Sequence, residues 1–172
     1  AGIALDNVSF EPLTQDDAGT MVELIRRNLE NYEEAGSVIA STFRRLSDLY
    51  QGYQSEGSRF IVAKDMSAGG ACIGGVGLGP LHGLPLSEGM GEIRDMVLEE
   101  SYRSRGIGTR LLRRALDEAR DFAYKRLYLE TTPQMEKAQK LFIRFGFRAI
   151  TQGAPQATPS DKLPCYFVLE EV

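Results

Sequence analysis

Tyr102-Arg-Ser-Arg-Gly-Ile-Gly108 lies between two segments of different period. Before it, Glu92-Ile-Arg-Asp-Met-Val-Leu98 reads as a strand. After it, residues 106–123 set Leu111, Leu112, Ala115, Leu116 and Ala119 at helical spacing. Arg126-Leu-Tyr-Leu-Glu-Thr131 then reads as a second strand, so 92–131 is one parallel βαβ unit whose first turn is the quoted stretch. Gly106 and Gly108 carry no side chain, and their amides can approach a ligand closely. The helix start adds unpaired N–H groups and the positive end of its dipole. Together these make an anion site able to take two phosphates, with Arg103 and Arg105 adding charge. By glycine spacing alone, the stretch reads equally well as a tight strand-to-helix turn with solvated arginines. Other phosphate motifs fit worse. Gly106-x-Gly108 lacks a third glycine, because position 111 is Leu, and Gly75-x-Gly77 runs into Pro80 and a loop.

Working outward, residues 7–11 alternate as a first strand. Thr14 heads Thr-Gln-Asp-Asp as a helix N-cap with acids in the first turn. Met21, Leu24, Ile25 and Leu29 carry that helix to about Tyr32, and a second helix is predicted over about 36–54. Arg59–Lys64 and Ala71–Leu78 read as strands joined by a turn at Ser67–Gly70, and 79–91 reads as a loop. Pro133 suits a helix start and Gly146 the C′ position past its end. Phe147–Gln152 and Tyr166–Glu170 are the last strands, separated by a loop over 153–164.

Composition bounds the function. The 172 residues suit a single domain, 1–172, and a 42% hydrophobic content is enough for a real core. No apolar run approaches the roughly 18 residues that span a bilayer, and Ala1-Gly2-Ile3 has no signal-peptide character. A net charge of −4 argues against nucleic acid. Yet Arg103, Arg105, Arg110, Arg113, Arg114, Arg120, Lys125 and Arg126 make one basic end, which suits a small phosphorylated ligand. Cys72 and Cys165 form neither a CxxC pair nor a disulfide framework, so a reducing, cytoplasmic setting and no structural metal are expected. The single histidine, His82, lies in a Gly/Pro-rich stretch and reads as a loop residue.

Arg103-x-x-Gly106-x-Gly108 after a strand resembles the Gln/Arg-x-x-Gly-x-Gly/Ala motif of the GCN5-related N-acetyltransferases. Two helices after the first strand, and Leu141-Phe-Ile-Arg-Phe-Gly-Phe147 near the end, are similar to the same family. The resemblance implies an α/β (α+β) fold, with a mixed, mostly antiparallel sheet of about seven strands, a central parallel pair and about four flanking helices. It implies acetyl-CoA as cosubstrate, held by the main chain of Met96, Val97 and Leu98 and by the amides of Arg103, Ser104, Arg105, Gly106, Ile107, Gly108 and Thr109. A backbone N–H near Met96 would bond the thioester carbonyl and favour the oxyanion formed on attack. The activity implied is N-acetyl transfer to a primary amine by direct attack in a ternary complex. A non-catalytic acyl-CoA-sensing module of the same fold is the alternative. The implied partner is a small-molecule or peptide amine, and the assembly a monomer or homodimer.

An amine must lose a proton to attack a thioester, and a carboxylate or a water chain can take it. Glu92, eleven residues before Arg103, stands where the histone-acetylating branch of the family carries its base. By strand alternation Glu92 shares a face with Arg94 and Met96. Glu130 and Asp95 are second choices, and Glu92 reads equally as a surface acid paired with Arg94. The family's thiolate-protonating tyrosine falls on Phe142, and an expected asparagine on Met135; both are departures. Tyr128, Tyr166 and Cys165 could reach the same region, and Tyr128 and Tyr166 read equally as core or sheet-face residues. Glu30, Glu33, Glu34, Asp48, Glu56 and Glu88 on the acceptor side are compatible with a cationic amine, or are solvated helix faces.

Overall fold

Thr14 accepts the Asp17 amide on its hydroxyl oxygen at 3.3 Å, which caps the first helix where the sequence places it. The computed structural model describes residues 5–30, 46–81, 84–131, 136–150 and 165–172. In chain order the elements are β1 (Val8–Pro12), α1 (Gln15–Glu30), α2 (Leu49–Gly52), β2 (Arg59–Asp65), β3 (Ala71–Pro80), β4 (Met90–Leu98), α3 (Ile107–Asp121), β5 (Arg126–Thr131), α4 (Glu136–Arg144), β6 (Arg148–Ile150) and β7 (Cys165–Leu169). Most of the helix predicted over 36–54 lies outside the described residues, as do Glu33, Glu34, His82, Pro133, Met135 and the loop 153–164. The predicted strand 71–78 continues to Pro80, and β4 begins at Met90, so the loop between them is shorter than 79–91.

The seven strands form one sheet in the order β1-β2-β3-β4-β5-β7-β6. Every pairing is antiparallel except β4–β5. The sheet has an apolar layer on each face. On one, Ile107, Leu111, Leu112, Ala115, Leu116 and Ala119 of α3 bury against Ile93, Leu127, Leu129 and Phe167. On the other, Met21, Leu24, Ile25 and Leu29 of α1 join Leu49, Tyr53, Phe60 and Val62. Burying each of these large side chains contributes about 1.5–3 kcal/mol, so the two helical stripes read from sequence also sandwich the sheet. Gly146 ends α4 with φ +95°, the left-handed geometry that a C′ glycine supplies.

Candidate active site

β4 and β5 pair in parallel only from Met90/Arg126 to Ile93/Leu129. Beyond Ile93, β4 has no ladder partner on that side among the described residues, while β5 continues with β7 through Glu130–Tyr166 and Thr131–Cys165. β4 carries a bulge just beyond this point. Gly75 pairs with Val97 and Gly77 with Arg94, so Asp95 and Met96 together face the single residue Val76. Asp95 has φ +55°, a left-handed conformation that aspartate tolerates better than most residues. A bulge bends its strand and sharpens the local twist, and this one lies just past the last β4–β5 pair.

The bulge overturns one expectation. Simple alternation puts Met96 on the face of Glu92. Instead Met96 packs with the α3 core, its Cε 3.8 Å from where a Gly108 Cβ would stand, and Val97 joins the α1 core. One extra residue in the strand shifts every later side chain to the opposite face.

The turn at 99–106 leads from β4 into α3. The Glu99 amide donates to Ile73 O at 2.8 Å, and a 3-10 turn spans Glu100–Tyr102. Ser104 and Gly106 then take φ of +64° and +87°. Gly106 is the N-cap and offers no side chain to the first turn of α3. The first-turn N–H groups therefore have no partner within the helix or its cap. The Gly108 α-carbon faces the space beside Met96 and Leu141. Amides at a helix start, a glycine surface and an unpartnered strand edge fit a pyrophosphate followed by an extended amide-containing arm.

Arg103 and Tyr102 hold this turn in place. Arg103 Nε donates to Leu98 O at 3.1 Å and Nη2 to Asn28 Oδ1 at 2.8 Å, tying the loop to β4 and to α1. The Arg103 guanidinium is thus used within the fold. The Tyr102 hydroxyl donates to Asp65 Oδ2 at 2.7 Å. Bonds from Ser67 and Tyr102 hold the Asp65 carboxyl below its ordinary value of 3.8. A depressed folded pKa adds stability above the ordinary carboxylate range, and that stability disappears as pH falls through the folded value. Tyr102→Phe is expected to lower Tm at pH 7, with the gap to wild type closing below about pH 4. Thermal melts across pH test this, and a gap that persists in acid counts against it.

On the other face of the split, the strands gather polar groups. Glu92 lies opposite Tyr128, and Glu130 opposite Tyr166. Arg94 Nε is 3.4 Å from Glu92 Oε1, and the guanidinium stacks over the Tyr53 ring at 5.4 Å. The Tyr53 hydroxyl donates to Asp95 Oδ2 at 2.5 Å. Burial, followed by the charge of Glu130, a bond to it and the charge of Glu92, pushes the Tyr166 hydroxyl up to about 12. The structure therefore brings Glu92, Asp95 and Glu130 to one region, with Tyr166 beside Glu130. Phe142 is buried between the rings of Phe147 and Phe167, at 6.0 and 6.4 Å. It is a core residue, and no proton donor stands at its position.

Glycines on β3 make room for this arrangement. A Cβ on Gly79 would lie 1.6 Å from Arg94 Nη2, and one on Gly77 would lie 2.1 Å from the Tyr53 hydroxyl. Sequence reading weighed Gly75-x-Gly77 only as a phosphate motif. Glycines within a strand also mark close approach of another group, which is the signal that would have found Tyr53 and Arg94. Gly77→Ala is expected to destabilise the fold by about 1–3 kcal/mol, the range for overpacking. Urea denaturation measures this, and an unchanged midpoint would show that the Tyr53 ring shifts freely. Among the described residues, no group of three or more His, Cys, Asp or Glu is placed to hold a metal ion, and no helix is long and apolar enough to cross a membrane.

Comparison with known proteins agrees with this geometry. The model of the Acetyltransferase (GNAT) family matches residues 21–147. The N-acetyltransferase YjgM of Escherichia coli (strain K12), itself uncharacterized, is 30% identical over 151 residues, covering 86% of each chain. An acetyltransferase of the GNAT family from Staphylococcus aureus Mu50 superposes with a TM-score of 0.75 at 19% identity, over 94% of this chain and 97% of that one. The structure of yncA from Salmonella typhimurium, with its cofactor acetyl-CoA, gives a TM-score of 0.69 at 18% identity, over 95% of this chain and 94% of that one. The chain belongs to the GNAT acetyltransferase family, and acetyl transfer is the activity class that this membership defines.

Proposed function

We propose that the chain transfers an acetyl group from acetyl-CoA to a primary amine by direct attack in a ternary complex. The observation that carries this reading is the split between β4 and β5, which opens beside the uncapped start of α3. The pyrophosphate sits on the amides of residues 103–109, and the pantetheine arm runs along β4 at Met96, Val97 and Leu98. The Met96 N–H bonds the thioester carbonyl. Glu92 takes the proton of the incoming ammonium, directly or through water. The amine then attacks the carbonyl carbon, and the negative charge moves to the carbonyl oxygen. The C–S bond breaks, coenzyme A leaves as thiolate, and the nitrogen passes its remaining extra proton to that thiolate or to water, giving the amide.

Two facts favour direct attack with an unassisted leaving group. A phenol raised to about 12, as in Tyr166, is a weaker acid than a thiol near 8.5, so Tyr166 does not suit protonation of the thiolate. Cys72 is half-buried, and burial followed by the nearby Asp17 carboxylate raises its thiol. It is poorly suited to carry an acyl-enzyme. The cationic character of the acceptor rests on Glu92, Asp95 and Glu130 around the split.

Coenzyme A release with a panel of primary amines tests the proposal. Release with at least one amine is expected. Tight acetyl-CoA binding with no release for any amine would support a sensing module instead, a reading kept open by Phe142.

A further inference from the structure

Asp95 is an ill-suited strand residue in a left-handed conformation, and what holds it there is visible. Tyr53, at the end of α2, is buried, with its ring edge-on to Phe60 at 5.2 Å and the Arg94 guanidinium over its face at 5.4 Å. Gly77 leaves the space that the hydroxyl end of the ring occupies. A ring packed on three sides fixes the position of its hydroxyl, and that hydroxyl donates to Asp95 Oδ2 at 2.5 Å. Asp95 and Met96 are the two residues of the bulge. They share a peptide unit, so the conformation of Asp95 sets the direction of the Met96 N–H.

We infer that Tyr53 is a positioning residue for acetyl transfer, fixing through Asp95 the direction of the backbone amide that receives the thioester carbonyl. The inference rests on the acetyl-CoA reading above and adds a part that the sequence did not point to. Tyr53 touches no reacting atom, since its hydroxyl bonds Asp95. Its effect passes through the bulge. A carbonyl held by a misdirected N–H still binds through the rest of coenzyme A, but it loses stabilisation as the oxyanion forms. The signature is a loss in the chemical step without a matching loss in acetyl-CoA affinity.

The test is the infrared C=O stretch of acetyl-CoA bound to the whole chain, isolated by a difference spectrum between thioester-carbonyl 13C-labelled and unlabelled ligand. In wild type the band shifts to lower wavenumber on binding. Tyr53→Phe keeps the ring and its packing on Phe60 but lacks the hydroxyl, and at least half of that shift is expected to disappear. Its Kd for acetyl-CoA is expected to stay within about threefold, which is less than 1 kcal/mol at 1.4 kcal/mol per tenfold. With an amine that turns over, kcat falls about tenfold, short of the roughly 10²–10³-fold loss from deleting an oxyanion donor, and the KM for acetyl-CoA is unchanged. Asp95→Asn still accepts the Tyr53 hydroxyl and tolerates the left-handed conformation, so it retains the band shift. A Tyr53→Phe band identical to wild type overturns the inference. So does a band shift lost only together with acetyl-CoA affinity, which would mark Tyr53 as a packing residue. Failure of the wild type to bind acetyl-CoA would overturn the functional reading itself, a result distinct from either.

Discussion

Gly108→Trp is expected to abolish the thermal stabilisation that the proposed acetyl-CoA binding would give the wild-type chain. Ligand at a hundred times its Kd stabilises by about 2.7 kcal/mol, roughly 5–10 °C for a domain of this size. Gly108 lies in the first turn of α3, and its α-carbon faces the space beside Met96 and Leu141. A Cβ there would meet Leu141 Cδ2 at 3.7 Å and Met96 Cε at 3.8 Å, ordinary contacts that the fold accepts. Gly108→Ala therefore folds with a near-wild-type Tm. An indole ring in its place would fill the space between the free edge of β4 and the helix start, where the proposed pyrophosphate and pantetheine would lie. Full ligand stabilisation in a folded Gly108→Trp would show that the anion site is elsewhere. Gly106 is a poorer probe, because its φ of +87° strains any substitution and confuses folding with binding.

Glu92→Gln is expected to slow coenzyme A release in the presence of an amine, with little change in acetyl-CoA affinity. A positioned base contributes typically about 10²–10⁴-fold. A loss of about 10²-fold is expected for Glu92→Gln, because a water chain can also take the proton; the Arg94 guanidinium lies 3.4 Å from this carboxylate. The Glu92 carboxylate lies one residue short of the point where β4 and β5 part. Glu130, bonded by Tyr166, is the control. If Glu130→Gln loses the rate and Glu92→Gln does not, the two roles exchange and the proton path starts on β5. Unchanged turnover in both variants leaves the proton to water and removes the carboxylates from the mechanism.

The periodic parts of the fold were legible because their causes are local. Leu111, Leu112, Ala115, Leu116 and Ala119 repeat at helical spacing, and all are buried. Thr14 caps α1 because a hydroxyl reaches an amide three residues on. Gly146 closes α4 because a positive φ there costs a side chain more than it costs glycine. The strand-to-helix turn at 102–108 was legible for the same reason, since glycines followed by a helical stripe mark such a turn locally.

The acidic region beside the split was legible only as a set of residue types. Glu92, Glu130 and Tyr166 were singled out singly, and the pairing of β5 with β7 is what put Glu130 beside Tyr166. Arg103 was read as charge for a phosphate, but its guanidinium is used on Leu98 and on Asn28, 75 residues away in the chain. No local pattern marks the bulge, because Asp95 and Met96 alternate like the rest of the strand.

The amino-acid sequence by itself determined the βαβ unit, the amides at the start of α3 and the two apolar stripes that close on the sheet, since each depends on residues within a few positions of one another. The tertiary structure alone decided where β4 leaves β5. At the bulge just beyond that point, Asp95 accepts a bond from the hydroxyl of a tyrosine 42 residues earlier in the chain, which a glycine on the neighbouring strand leaves room for. Side-chain alternation has no memory of such distant contacts, and one bulge is enough to move Met96 from one face of the sheet to the other.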